Sequence, residues 1–343
     1  MPLPHWDETL TCETATLPTK SPTKSPMMSQ RNVTLEDFDG NVISGFWQYE
    51  NATVSWTHFY AWLRRIIQTD GSWTIFELDE TMPGRRGPKK TESDLGRELV
   101  KPGRYIILKE DGSPISVGLT QEKYRRRPLT VLNTPERVPT NGYRERTRDR
   151  DKKCLITDLE STWTRLRAAH IFPRTHLSEW LQEGFNDRIT DPGGAPLLQA
   201  QVDQLDASRP IKSESKIDSI QNVFLLRADL HECWVNYEFG VNPDDGYRIT
   251  AFVRGLSDIH GSFLHIEHIS DPHIRPLDIL FRDHFFQCVL KNVKGATGEP
   301  TWDYEDGGFD LSRQDIWGGA EGKERLEVEL SNRLFGYQTQ AVV

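Results

Sequence analysis

The feature that most constrains the fold is a strand, strand and helix pattern in the middle of the chain. Ala168–Pro173 is a short apolar segment that ends at a proline. Val223–Arg227 is a second apolar segment, and Ala228–Trp234, directly after it, has the pattern of the first turns of a helix. Two strands packed against one helix leave a small cleft between them. This arrangement brings His170 and His231 to opposite sides of that cleft.

The polar residues of these segments follow the order His, Asn, His. The first part reads His-Ile-x-Pro from His170, and the second reads Asn-x-x-x-Leu-x-x-x-x-His from Asn222 to His231. This pattern resembles the HNH, or ββα-metal, endonuclease family. The Ala-Ala-His-Ile and Leu-Leu-Arg-x-Asp-Leu-His segments are similar to a branch found in fungal HNH-domain proteins. The resemblance extends over most of residues 32–335, and residues 154–252 contain the motif.

The resemblance implies a metal-dependent endonuclease that hydrolyses phosphodiester bonds in DNA. His170 would be the general base that activates a water molecule. Asn222 would orient that base through hydrogen bonds between its loop and the backbone. His231 would bind a divalent metal ion, Mg²⁺, Mn²⁺ or Zn²⁺, which stabilises charge on the phosphate and on the leaving oxygen. Arg227 would contact the phosphate backbone, the source of sequence-independent affinity.

Two positions differ from well-known members of that family. Ala169 stands where they have an Asp or His ligand immediately before the base, and Val235 stands where many have an acid or a histidine. We expect a carboxylate or solvent to fill the ligand position that Ala169 leaves vacant, and Ala169→Asp to tighten metal binding. Asp218, Asp229 or His176 could complete the metal site. Their spacing in the sequence does not favour one of them over the others.

Three functions remain open from the sequence. The first is the nuclease. The second is a catalytically degenerate HNH-like domain that is retained as a nucleic-acid or protein binding module. The third is a structural interaction protein whose N-terminal module binds a protein partner. Binding of a divalent cation separates the first from the second, and salt-dependent affinity for DNA separates the second from the third.

Charge is distributed unevenly along the chain. The formal net charge of −9 argues against a protein that binds nucleic acid over its whole surface. Residues 123–153, however, contain eleven Lys/Arg against four Asp/Glu. We expect this stretch to contact DNA through Arg125, Arg126 and Arg127. The alternative is a basic linker that is only solvated.

Local patterns predict an α+β protein. Asp39-Gly40 and Asp111-Gly112 have the composition of hairpin turns, and Ser55 is a suitable N-cap for a helix. A small N-terminal α+β module is expected to precede the ββα-metal (HNH) domain. The boundaries are residues 1–31 for a disordered arm, 32–122 for the α+β module, 123–153 for the basic linker, 154–252 for the HNH-like domain and 253–343 for a helical, acidic C-terminal extension.

Composition excludes several classes of protein. Hydrophobic residues make up 36% of the chain and aromatic residues 10%, so full disorder is excluded. No apolar run approaches the ~18 residues of a membrane-spanning helix, and the first residues contain no apolar signal segment. Four widely spaced cysteines exclude a disulfide scaffold. We therefore expect an intracellular protein, nuclear or cytoplasmic, with no membrane partner. The five histidines between residues 260 and 284 are expected to be scattered over its surface.

Overall fold

The computed structural model describes residues 31–125, 142–193 and 215–295. Residues 1–30 of the predicted arm, Arg126, Arg127 and the acidic C-terminal part from residue 296 lie outside the described residues. The described residues combine helices with sheets, which confirms the α+β class. The strands are β1 (Val33–Glu36), β2 (Val42–Phe46), β3 (Ile67–Thr69), β4 (Trp73–Leu78), β5 (Arg86–Lys90), β6 (Gly103–Lys109), β7 (Val117–Leu119), β8 (Leu166–His170), β9 (Val223–Arg227), β10 (Phe239–Asn242) and β11 (Arg248–Ala251). The helices are α1 (Trp56–Ile66), α2 (Glu92–Leu95), α3 (Tyr143–Asp151), α4 (Leu177–Gln182), α5 (Phe185–Arg188), α6 (Ala228–Val235) and α7 (Asp278–Asn292).

The N-terminal part forms a five-stranded sheet with the strand order β2-β1-β6-β4-β5. Neighbouring strands are antiparallel except β1 and β6, which are parallel. The apolar face of α1, which includes Phe59 and Leu63, packs in the core beneath this sheet. Ser55 caps α1 as predicted, because its hydroxyl accepts a hydrogen bond from the backbone N–H of His58.

One of the two predicted hairpins forms. β1 and β2 pair around the Asp39-Gly40 turn, in which Gly40 has a φ of +87°. The Asp111-Gly112 turn also forms, with a φ of +83° at Gly112. The strands on its two sides do not pair with each other, because β6 pairs with β1 and β4 whereas β7 pairs with β3. The prediction of a second hairpin is therefore wrong.

The strand, strand and helix pattern is present in the middle of the chain. β8 and β9 pair antiparallel, with Leu166 opposite Arg227 and His170 opposite Val223. α6 follows β9 directly and contacts both strands. Trp234 of α6 is fully buried and packs edge-on against a phenylalanine of β9. β10 and β11 form a further antiparallel pair beside this unit.

Helix α3 lies in the stretch predicted to be a linker. The carboxylate of Asp151 accepts a hydrogen bond from the backbone N–H of Leu225 at 2.8 Å. The guanidinium of Arg150 donates to the carbonyl of Val223 at 2.7 Å. These bonds satisfy backbone groups of β9 that β8 does not pair. The prediction of a linker over residues 123–153 therefore does not hold for α3, which packs against the strand pair.

Arg125 was expected to contact DNA, and the structure contradicts this. Only 5% of its surface is exposed. Its guanidinium forms ion pairs with Asp283 of α7 and, at 2.6 Å, with Glu179 of α4. It also lies 4.4 Å from the centre of the Phe172 ring. A buried cation is retained where carboxylates compensate its charge, so Arg125 stabilises the packing of two helices.

The helix of the predicted C-terminal extension, α7, belongs to the two largest hydrophobic cores. Its first half places Leu280 and Phe281 in the core around β8, β9 and α6. Its second half places Phe286 and Val289 in the core of the N-terminal sheet. In the described part of the extension, α7 is helical whereas residues 253–277 form turns and loops. α7 is an internal element rather than a peripheral one.

The histidines between residues 260 and 284 are not all on the surface. His260 is buried, and burial lowers its pKa to about 4. His284 is buried too, and its ring stacks on Trp234 with the ring centres 3.4 Å apart. For these two residues the surface prediction is wrong. No helix in the described parts of the chain is long and apolar enough to cross a membrane.

Candidate active site

His170 is the last residue of β8. Its Nε2 lies 2.9 Å from Oδ1 of Asp218, within hydrogen-bond distance. The same carboxylate oxygen is 3.0 Å from Nε of Arg174. The ring of Tyr143, at the start of α3, packs edge-on against the imidazole with the ring centres 4.9 Å apart. A carboxylate and an aromatic ring therefore fix the orientation of an imidazole that keeps 12% of its side-chain surface exposed.

The charge of Asp218 follows from its neighbours. Burial favours a raised pKa for this carboxyl, but the hydrogen bond with His170 and the positive charges of His170, Arg174 and Arg144 outweigh it. The pKa of Asp218 therefore lies below its ordinary value, and the carboxylate is ionised at neutral pH. An ionised acceptor at Nε2 keeps a hydrogen on that nitrogen, so loss of the other ring proton leaves the lone pair on Nδ1.

Asn222 connects the end of β8 to the loop that contains Asp218. Its Oδ1 accepts a hydrogen bond from the N–H of Phe172 at 2.8 Å. Its Nδ2 donates to the carbonyl of Phe172 at 3.1 Å and to the carbonyl of Ile217 at 2.9 Å. The side chain is fully buried, so water does not compete for these bonds. Asn222 thus holds the backbone two residues after His170 and one residue before Asp218.

Helix α6 also supports this arrangement. The indole N–H of Trp234 donates to the backbone carbonyl of His170 at 3.0 Å. The side chain of His231, one turn earlier, is 17% exposed, and its Nδ1 lies 3.7 Å from a carboxylate oxygen of Glu232. α6 therefore fixes the backbone at the end of β8, and it carries the histidine that was expected to bind a metal ion.

The donor atoms near His231 do not form a ligand set for a divalent metal ion. Across the described ranges, no group of three or more His, Cys, Asp or Glu residues is arranged to hold one. Asp229, a candidate ligand, binds Arg227 through both carboxylate oxygens at 2.6 and 2.8 Å. His176, another candidate, is buried beside Glu179, 3.5 Å from its carboxylate. Asp218 is engaged with His170.

Ala169 faces the hydrophobic core. It is fully buried among the apolar residues around β8, β9 and α6. Successive side chains of a strand point to opposite faces, so Ala169 and His170 lie on opposite faces of β8. A longer side chain at position 169 would therefore meet packed apolar groups. The expectation that a carboxylate or solvent fills the ligand position that Ala169 leaves vacant stays a prediction.

The arginines that were expected to bind DNA have different surroundings. Arg227 is partly exposed, and its charge is balanced by the bidentate contact with Asp229 and by Asp258 at 3.5 Å. Arg125 is buried, as described above. Arg126 and Arg127 lie outside the described residues.

The segment that contains these residues resembles a known family of enzymes. The model of the family described as HNH endonuclease matches residues 154–242. This region is similar to HNH endonucleases. It includes β8, β9 and α6, and with them His170, Asn222 and His231. No curated protein and no solved structure matches the chain. The fungal branch stays a prediction.

Sequence reasoning missed the side chains that surround His170. Asp218 was only one of three candidate metal ligands, and Arg174, Arg144 and Tyr143 were not singled out. The signal for Asp218 is its position four residues before Asn222, in the turn that precedes β9. Tyr143 has no such signal, because it lies in α3, within the stretch that the sequence predicts to be a linker.

Proposed function

We propose that this protein is an endonuclease that hydrolyses phosphodiester bonds in DNA, with His170 as the general base. The observation that supports the proposal most strongly is the hydrogen bond between His170 and the ionised Asp218, inside a region similar to HNH endonucleases. A carboxylate that orients a histidine and stabilises its charged form is a recurring arrangement for proton transfer at neutral pH.

The proposed reaction is a displacement at phosphorus by water. Nδ1 of His170 removes a proton from the water as the water oxygen attacks the phosphorus atom. The bond between phosphorus and the leaving strand oxygen breaks, and that oxygen takes up a proton from solvent. Asp218 stabilises the imidazolium that forms. Arg174 and Arg144 place positive charge near Asp218, and the same charge would stabilise a phosphate held at His170.

HNH nucleases generally use a divalent metal ion, whereas the described residues around His231 do not form a ligand set for one. Metal binding at His231 therefore stays a prediction. Calorimetric titration with Mn²⁺ of the wild-type protein and of His231→Ala checks it. The prediction requires weak binding that the substitution removes, and equal heats for the two proteins would contradict it.

The second candidate function is a degenerate HNH-like module that binds nucleic acid without cleaving it. Two observations favour it. Ala169 packs in the core instead of offering a ligand, and the described residues contain no cluster of three metal donors. A protein partner for the N-terminal module remains a prediction of the sequence.

Nicking of supercoiled plasmid DNA distinguishes the two candidates. We expect the wild-type protein to convert supercoiled plasmid to the nicked form, in reactions supplied with Mg²⁺ or Mn²⁺ and compared with reactions that contain a chelator. The same DNA in a gel-shift assay reports binding. Binding without nicking under every condition would contradict the nuclease and leave the binding module.

Asp218→Asn tests the role of the carboxylate. The substitution keeps the size of the side chain but removes the charge that orients and stabilises His170. We expect the nicking rate to fall by at least about 10- to 100-fold, the range known for loss of the partner of a metal-bound histidine. Asp258→Asn, at an exposed carboxylate in the loop that follows β11, is the control and should keep the wild-type rate. Equal rates for the two variants would show that Asp218 has no part in the reaction.

A further inference from the structure

Basic and aromatic side chains extend from His170 along one side of α3. Tyr143 packs against His170. Arg144, the next residue, is close enough to Asp218 for its positive charge to lower the pKa of that carboxyl. Positive charge at this end of α3 therefore lies directly beside the candidate active site.

The row continues along the helix and onto the loop before β8. Arg148 is four residues after Arg144, so the two lie on the same face of α3, about 6 Å apart along the axis. The guanidinium of Arg148 lies 5.3 Å from the centre of the Trp163 ring, in the loop that leads into β8. A carboxylate oxygen of Glu145 lies 4.0 Å from the Arg148 guanidinium. Tyr143, Arg144, Arg148 and Trp163 are called the α3 row below.

Trp163 is exposed to an unusual degree for its size, with 46% of its surface accessible. A single exposed tryptophan is not informative by itself. Here Arg144 and Arg148 lie between His170 and the Trp163 ring. Arginines that follow a backbone, combined with an aromatic ring on which a base stacks, are the features that proteins use to bind single-stranded nucleic acid.

We propose that a single strand of DNA binds along the α3 row, with its phosphates at Arg144 and Arg148 and one base stacked on Trp163. This inference rests on the proposed function, because it places the next phosphate of the same strand at His170. An unpaired strand fits better than a duplex. The bases of a duplex are stacked on one another and present only their edges in the grooves, so the face of a tryptophan has no base to stack on.

Affinity for a labelled single-stranded oligonucleotide and for the matching duplex, measured by fluorescence anisotropy, tests the stacking contact. Trp163→Ala should weaken single-strand binding by about 5- to 100-fold and leave duplex binding unchanged. Phe263→Ala is the matched control, because Phe263 is 43% exposed and has the guanidinium of Arg248 4.6 Å from its ring centre. An unchanged single-strand affinity for Trp163→Ala, or an equal loss on the duplex, would overturn the proposal.

Salt dependence tests the phosphate contacts. The slope of log K against log salt for a single strand should become shallower by about 0.7 for each phosphate contact that is lost. We expect the double variant Arg144→Ala/Arg148→Ala to show this change. Arg282→Ala should not, because Arg282 is an exposed arginine of α7 that binds Asp244. A slope equal to that of the wild type in the double variant would overturn the proposal.

The nicking assay separates this inference from the function on which it rests. Nicking by the wild-type protein, combined with no effect of Trp163→Ala on single-strand affinity, would refute the α3 row and leave the nuclease intact. Single-strand binding that depends on Trp163, without cleavage of either the plasmid or the single-stranded oligonucleotide, would support the α3 row and refute the nuclease.

Discussion

Replacing His170 with alanine is expected to slow plasmid nicking by about 10²- to 10⁴-fold, the usual contribution of a positioned general base. The substitution removes the imidazole that Asp218 orients, so no group at the end of β8 is left to take the proton from water. The carboxylate keeps Arg174 as a partner at 3.0 Å, and Asn222 keeps its bonds to the backbone. The fold should therefore be retained, which the midpoint of urea unfolding measures alongside the initial nicking rate.

An exposed histidine provides the control for this substitution. His268 lies on the surface, and His268→Ala should nick DNA at the wild-type rate. A His170→Ala protein with the wild-type rate would remove His170 from the mechanism. A slow His170→Ala protein whose urea midpoint has also fallen would indicate a structural role for the side chain instead.

The strand, strand and helix unit is predictable from sequence because each of its parts has a local signal. Pro173 ends the first apolar segment, β9 is a run of large apolar residues, and Asp229 suits the first turn of a helix. Ser55 is a similar case, because an N-cap and its partner three positions later lie within one short stretch of sequence. Signals of this kind require no knowledge of distant contacts.

The errors concern residues whose environment depends on distant parts of the chain. Arg125 is in a basic stretch by sequence, yet residues more than fifty positions away bury it and compensate its charge. Helix α3 looks like a charged linker because it has few apolar residues. Its place in the fold depends on Arg150 and Asp151, which bind backbone groups of β9. Charge patterns alone do not separate a solvated arginine from a paired one.

The candidate site shows the same division. The resemblance identified His170 and Asn222, which lie close together in the structure. Asn222 binds the backbone of Phe172, two residues after His170, and of Ile217, one residue before Asp218. It did not assign Asp218 a role toward His170. A carboxylate in a turn is usually a local backbone partner, and only the pairing of β8 with β9 brings it to the imidazole.

Ala169→Asp, which restores the residue type that the HNH family has before the base, is expected to destabilise the protein rather than to build a metal site. Ala169 is fully buried among apolar side chains, so the substitution places a carboxylate in the core without a partner. Such a group costs on the order of 3–5 kcal/mol, or becomes protonated instead. We expect a large fall in the urea midpoint, weaker nicking and no gain in Mn²⁺ binding.

The neighbouring residue on the same strand provides the matched control. Ala168 is partly exposed and points to the opposite face of β8. Ala168→Asp adds the same charge to the same strand, and we expect it to cost only about 1 kcal/mol, the usual effect of a substitution outside the core. If Ala169→Asp is instead as stable as Ala168→Asp and binds Mn²⁺ more tightly than the wild type, the side chain of residue 169 reaches a polar site. The family ligand set then applies to this chain, because a carboxylate at position 169 is stable only where a cation or water meets it.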